Sequence, residues 1–230
     1  MAGEAPDEMR LMKPIFPLLL LLLPLHLLSQ VYNVTRYTPA DGLSQSQVRA
    51  LLQDRKGFLW LGTHRGVNKF DGRNFTSYSV TSGIAGNFVT DMIEDRQGRL
   101  WIATDKGISR FDGREFVNYS PEGNQRLPNP DVQALMEDSD GRIWVGLAGD
   151  ICLIEEGRVI PNPYFWKPAR EKRIIYDILE IPGGRVWIAT NQGLFQWQGQ
   201  RIEPYTLAGL ASVPEIYAIL TDNTGRLWLG

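Results

Sequence analysis

Five tryptophans constrain this chain more than any other feature. Trp60, Trp101, Trp144, Trp187 and Trp228 recur at about forty residues, in the strings FLWLGT, RLWIAT, RIWVGL, RVWIAT and RLWLG. Each follows a turn: Asp54 to Gly57, Asp95 to Gly98, Asp138 to Gly141, Pro182 to Gly184 and Asp222 to Gly225. The glycine suits a positive φ and the aspartate can bond turn amides. Before each turn lies a short apolar strand, VRALLQ, VTDMIE, VQALME, IYDILE or IYAILT. Its apolar residues are nearly consecutive, which predicts burial on both faces.

A second turn follows the Trp strand, as Thr63 to Gly66, Thr104 to Gly107 and Thr190 to Gly193. A third strand then runs to Asp71-Gly72, Asp112-Gly113, Glu156-Gly157 or Gln198-Gly199, read as tight hairpin links with φ > 0 at both positions. A fourth strand ends near Tyr78, Tyr119, Tyr164 or Tyr205. Four short antiparallel strands at this period describe one propeller blade, so the expected fold is all-β: a β-propeller of four-stranded antiparallel blades. Val31 to Thr38 reads as an isolated fourth strand, with Tyr37 in the place of Tyr78, and the sequence stops at Gly230 inside a Trp strand. The expectation is an incomplete, truncated array of about four and a half repeats.

Ahead of the repeats, Ile15 to Leu28 is an apolar stretch preceded by Lys13, too short to span a bilayer comfortably. Residues 1–30 read as a signal peptide, with Met12 as the candidate true start and an uncleaved anchor as the alternative, and residues 31–230 as the propeller. A formal net charge of −2 without a Lys/Arg cluster argues against nucleic acid as a partner. Cys152, the single cysteine, lies in an apolar run and reads as a buried structural thiol.

With these motifs assembled, D-x-x-G-x-[LI]-W-[IVL]-[GA]-T-x-x-G-[LIV] resembles the two-component regulator propeller repeat, found in the periplasmic sensor regions of bacterial hybrid histidine kinases. The third repeat departs from it, with Leu147-Ala-Gly149-Asp150 for Thr-x-x-Gly, and the fourth has Ile181-Pro182 at the turn aspartate. The resemblance implies a ligand-sensing domain in the periplasm, as the extracytoplasmic part of an inner-membrane protein. It also implies a homodimer in the full-length sensor, a membrane helix and kinase domains outside this sequence, and a small-molecule or glycan ligand. The alternatives are a secreted lyase-like propeller enzyme and a non-signalling binding scaffold.

Alternating strand direction puts the Asp-x-x-Gly and Asp-Gly turns on one face of the disc and the Thr-x-x-Gly turns and inter-blade connections on the other. The second face varies in side chain, which makes His64, Arg65, Asp105, Lys106, Asn191, Gln192 and Arg173 the candidate ligand-binding residues. Trp166, outside the repeat register, joins them as an aromatic that can stack on a sugar ring or contact a partner subunit. No catalytic constellation is recognisable around His64, the only histidine beyond the N-terminal segment. Asp138-Ser-Asp140-Gly141 opens like a calcium loop but lacks the distal ligands, so neither metal nor cofactor is expected.

Overall fold

The computed structural model describes residues 34–161, 173–199, 201–207 and 214–230. The signal-peptide segment, Tyr164 and Trp166 lie outside the described residues. Four four-stranded antiparallel sheets and one two-stranded sheet follow one another along the chain, each in sequential strand order. The first contains β1 (Val48–Gln53), β2 (Leu59–Thr63), β3 (Gly66–Phe70) and β4 (Phe75–Tyr78). The second contains β5 (Val89–Glu94), β6 (Leu100–Thr104), β7 (Gly107–Phe111) and β8 (Phe116–Tyr119). The third is β9 (Val132–Glu137), β10 (Ile143–Leu147), β11 (Ile151–Glu155) and β12 (Arg158–Pro161). The fourth is β13 (Ile175–Ile181), β14 (Arg185–Thr190), β15 (Gly193–Trp197) and β16 (Ile202–Pro204), and the fifth pairs β17 (Ile219–Thr221) with β18 (Leu227–Leu229). These are the blades expected from the repeat, and the inner strands β1, β5, β9, β13 and β17 neighbour one another in that order.

The core is divided among the seams. Trp60 packs with Val89, Leu100 and Ile102 of the second blade, Trp101 with Ile143, Val145 and Ile154 of the third, and Trp144 with Val186, Ile188 and Trp197 of the fourth. Trp187 packs with Ile216 and Ile219 of the fifth. A blade therefore supplies one apolar face to each neighbour, and its burial is a property of the pair. Cys152 sits inside the second of these clusters, where burial pushes its thiol up to about 12.

Three sequence expectations need correction. Burial on both faces holds for inner strands flanked by two blades, whereas Leu51 on β1 is 66% exposed and Leu220 on β17 is 65% exposed, because no described blade covers those sides. Residues 34–38 form no strand, since no described third strand offers them a ladder. Tyr37 nevertheless packs tilted against Phe70 and edge-on against Phe75, as Tyr78 does against Phe111 and Phe116. The Asp-Gly links also differ from two-residue hairpins. Asp71 and Asp112 keep negative φ and bridge a wider loop, each accepting two backbone N–H groups through Oδ1. Only Glu156-Gly157 has positive φ at both positions, 48° and 78°.

Candidate functional site

The Thr-x-x-Gly turns lie at the sheet end where the inner strands begin, as the pairing of Val48 with Thr63 shows. Thr63 Oγ1 donates to the Gly66 carbonyl and accepts the Arg65 amide, both at 3.0 Å, and Thr104 and Thr190 repeat the pattern. A Cβ on Gly66 would stand 2.1 Å from the Tyr78 carbonyl oxygen, at a φ of 103°, so only glycine lets the turn seat on the outer strand. The turn backbone is therefore fixed, and its two central side chains are displayed.

The candidate residues fall into two groups, one at each of two seams. At the first seam, the connection before β5 accepts the Gly66 amide at Asn87 and the Asp105 amide at Phe88. His64 stacks on Phe88 with centroids 4.0 Å apart, and its Nε2 is buried without a hydrogen-bond partner. Asp105 Oδ1 is likewise buried and unpartnered, pressed against Gly86, whose Cβ would stand 2.8 Å away. Arg65 and Lys106 are exposed. At the other seam Asn191 clasps the connection before β13, its Oδ1 accepting the Ile174 amide at 2.8 Å, and Gln192 is half-buried beside it. Arg173 is buried, with its guanidinium 4.8 Å above the Phe195 ring and its charge beside Asp150. Desolvation raises the Asp150 carboxyl and that guanidinium partly offsets it. Trp166 belongs to the connection outside the described residues.

A ring of residues that sequence reasoning did not single out lies on the same face. The second residue of β1, β5, β9 and β13, which is Arg49, Thr90, Gln133 or Tyr176, is looped out of the ladder by a bulge, and Tyr217, two residues before β17, shares the Gly230 carbonyl with the Ala218 amide. Four of these side chains reach toward a neighbouring blade, while Gln133 Nε2 donates to Asp131 just before its own strand. Arg49 lies over Phe88, Thr90 Oγ1 donates to the Val132 carbonyl at 2.7 Å, and the Tyr176 and Tyr217 rings stand 4.7 Å apart. Tyr217 is 58% exposed, and its hydroxyl donates to Glu215. The usable signal was chemical variety at this slot, between a β-branched residue and an alanine or aspartate that hold in every repeat.

Residues 42–65, 83–106 and 126–149 match the two-component regulator propeller family, each match running from an inter-blade connection through an inner strand to a Thr-x-x-Gly turn or its counterpart. A histidine kinase P4 of Formosa agariphila is 59% identical over 39 residues, which is 17% of this chain and 3% of that protein. Among solved structures, the extracellular domain of a putative hybrid two component system from B. thetaiotaomicron superposes with a TM-score of 0.71 and 25% identity. That match covers 85% of this chain and 29% of the other. Virginiamycin B lyase from Staphylococcus aureus has a TM-score of 0.63 at 17% identity, covering 79% of this chain and 62% of the other, and shows the fold alone. This chain thus spans under a third of the extracellular domain it matches.

Proposed function

From a chain built of two-component regulator propeller repeats, we propose a ligand-sensing extracytoplasmic propeller of a two-component sensor of the hybrid histidine kinase kind. The observation that carries the reading is the ring of bulged residues beside the displayed turns. Arg49, Gln133, Tyr176 and Tyr217 vary in chemistry on one face, while the blades behind them repeat. Variable side chains on a rigid scaffold are the ordinary anatomy of recognition. The Tyr217 ring beside Tyr176, with Glu215 at its hydroxyl, supplies a flat apolar surface edged by a hydrogen-bond acceptor. That combination suits a sugar ring or another small molecule with both apolar and hydroxyl surfaces. Export to the periplasm, a dimeric full-length sensor and a membrane connection through further sequence belong to the same proposal.

The test is the transcriptional response of the intact sensor in its own bacterium. Arg49→Ala, Tyr176→Ala and Tyr217→Ala together are expected to raise the inducer concentration for half-maximal response at least about tenfold, and Arg65→Ala with Lys106→Ala to raise it less. Full response at unchanged inducer concentration in both variants would refute this face as the sensing surface.

A further inference from the structure

On the opposite face, where the Asp-x-x-Gly turns lie, successive seams differ in how they fill one equivalent space. In each of the first four blades one residue of the third strand pairs with the register tryptophan: Lys69, Arg110, Leu153 and Gln196. At the seam between the third and fourth blades this residue is Leu153, and Trp197 packs edge-on against Trp144 at 5.3 Å. At the seam between the second and third blades a cleft of about 270 Å³ stays open, lined by Arg99, Trp101, Arg110, Ile143, Ile154 and the Glu156-Gly157 hairpin. Ile154 pairs there with the residue just before the register tryptophan, as Trp197 does one blade later.

Two guanidinium groups border this cleft, each with its central carbon 5.9 Å from the Trp101 ring centroid. Arg99 is satisfied, its Nε donating to Asp95 Oδ2 at 2.6 Å. Arg110 is not. Its Nε is buried and has no hydrogen-bond partner, and it forms no ion pair with any described carboxylate. The Tyr119 hydroxyl lies beside Gly157 and within the electrostatic reach of both arginines. A buried guanidinium N–H without an acceptor is costly, and an oxyanion that accepts it makes one of the stronger hydrogen bonds available to a protein.

We propose that the cleft between the second and third blades is a binding site for a small oxyanion, a carboxylate or a phosphate, held by the Arg110 guanidinium over Trp101, the Arg99 charge being already engaged by Asp95. The site is independent of the sensing face. Arginine suits it because the planar edge of a guanidinium offers parallel donors to a pair of oxygens. The neighbouring seam has the same layout with a lysine: Lys69 Nζ stands 3.6 Å above Phe58, beside a smaller cleft of about 170 Å³.

The experiment is an NMR titration of the full chain, following the Arg110 Nε–H and Trp101 indole signals with sodium acetate, inorganic phosphate and, at matched ionic strength, sodium chloride. Saturable shifts of the Arg110 signal with acetate or phosphate but not chloride are expected, and the responding salt identifies the class. Absence of a saturable shift with either oxyanion, or an equal response to chloride, overturns the site without recourse to any variant. Arg110→Gln, followed on the Trp101 signal, is expected to raise the midpoint roughly tenfold or more. Ile154→Trp, which places at this seam the side chain that fills the next one, is expected to abolish the response. A midpoint unchanged in both variants overturns the assignment to this cleft.

Discussion

Each turn aspartate uses both carboxylate oxygens, for two different purposes. In the third blade Asp138 Oδ1 accepts the amides of Asp140 and Arg142, while Oδ2 accepts the Trp144 indole N–H at 2.8 Å and the Arg142 Nε at 2.7 Å. Asp54, Asp95 and Asp222 make the same indole bond, at 2.8, 2.7 and 3.0 Å. The first role was legible in the sequence, because Asx turns are local chemistry. The second joins residues six apart through a strand whose course only the fold determines. Blade four is the natural control: Ile181 takes the aspartate slot, and Trp187 Nε1 is buried with no partner. Replacing Trp144 by Phe leaves Asp138 Oδ2 short of a donor, whereas replacing Trp187 by Phe removes an N–H that had no acceptor. Trp187→Phe is therefore expected to cost about 1–3 kcal/mol less than Trp144→Phe in denaturant unfolding. Asp138→Ala, which strands two amides and the indole together, is expected to cost about 2–4 kcal/mol.

Strands and turns followed from the sequence because short, nearly consecutive apolar runs and glycine positions report directly on backbone needs. The bulges did not, since one residue looped out of VTDMIE leaves its apolar run looking unbroken. The same blindness hid the ring of looped-out residues, and a seam latch at the other end of the inner strands went unread as well. There Glu94, Glu137 and Glu180 accept the amides of Arg55, Arg96 and Ser139 from the preceding blade, at 2.9, 2.8 and 2.6 Å. The turns themselves differ in tolerance. Gly57 has a φ of 88° but open space around it, while Gly66 has a carbonyl oxygen where a side chain would start. Gly57→Ala is expected to cost about 1 kcal/mol and Gly66→Ala more than about 3 kcal/mol, measured by the midpoints of chemical unfolding. Similar values for the two would mean that the outer strand can retreat from the turn.

Across the whole molecule the repeating unit is a pair of blades. The third residue of β1, β5, β9 and β13 and its cross-strand partner read Ala50/Gly62, Asp91/Ala103, Ala134/Gly146 and Asp177/Ala189, and Ala218, just before β17, faces Gly230 in the same way. A carboxylate has two oxygens, and each aspartate serves two inner strands. Asp91 Oδ1 accepts its own Met92 amide and Oδ2 the Leu135 amide of the next blade. Asp177 treats Ile178 and Ile219 likewise. One aspartate in every second blade is thus enough, which explains an alternation that was present in the sequence but meaningless until the amides were located. The arrangement has an electrostatic cost. Burial, aided by repulsion from Asp177, raises the Asp91 carboxyl to about 6 despite those two N–H bonds. The strands packed on β5 bring Arg49 from β1 and Glu137 from β9, and these engage Phe88 and the Arg96 amide. A folded-state pKa above the unfolded value of about 4 means that the fold holds a proton the unfolded chain releases. Asp91 thus favours folding most below about pH 4, and its contribution is lost as pH rises through about 6. Between about pH 5 and pH 7 the wild-type chain is expected to lose on the order of 1–2 kcal/mol more unfolding free energy than Asp91→Asn, whatever the absolute stability of the variant. Urea unfolding of both chains at the two pH values measures that difference directly. Equal slopes would mean that the shared carboxylate is already neutral, or already stabilised as an anion, across the whole interval.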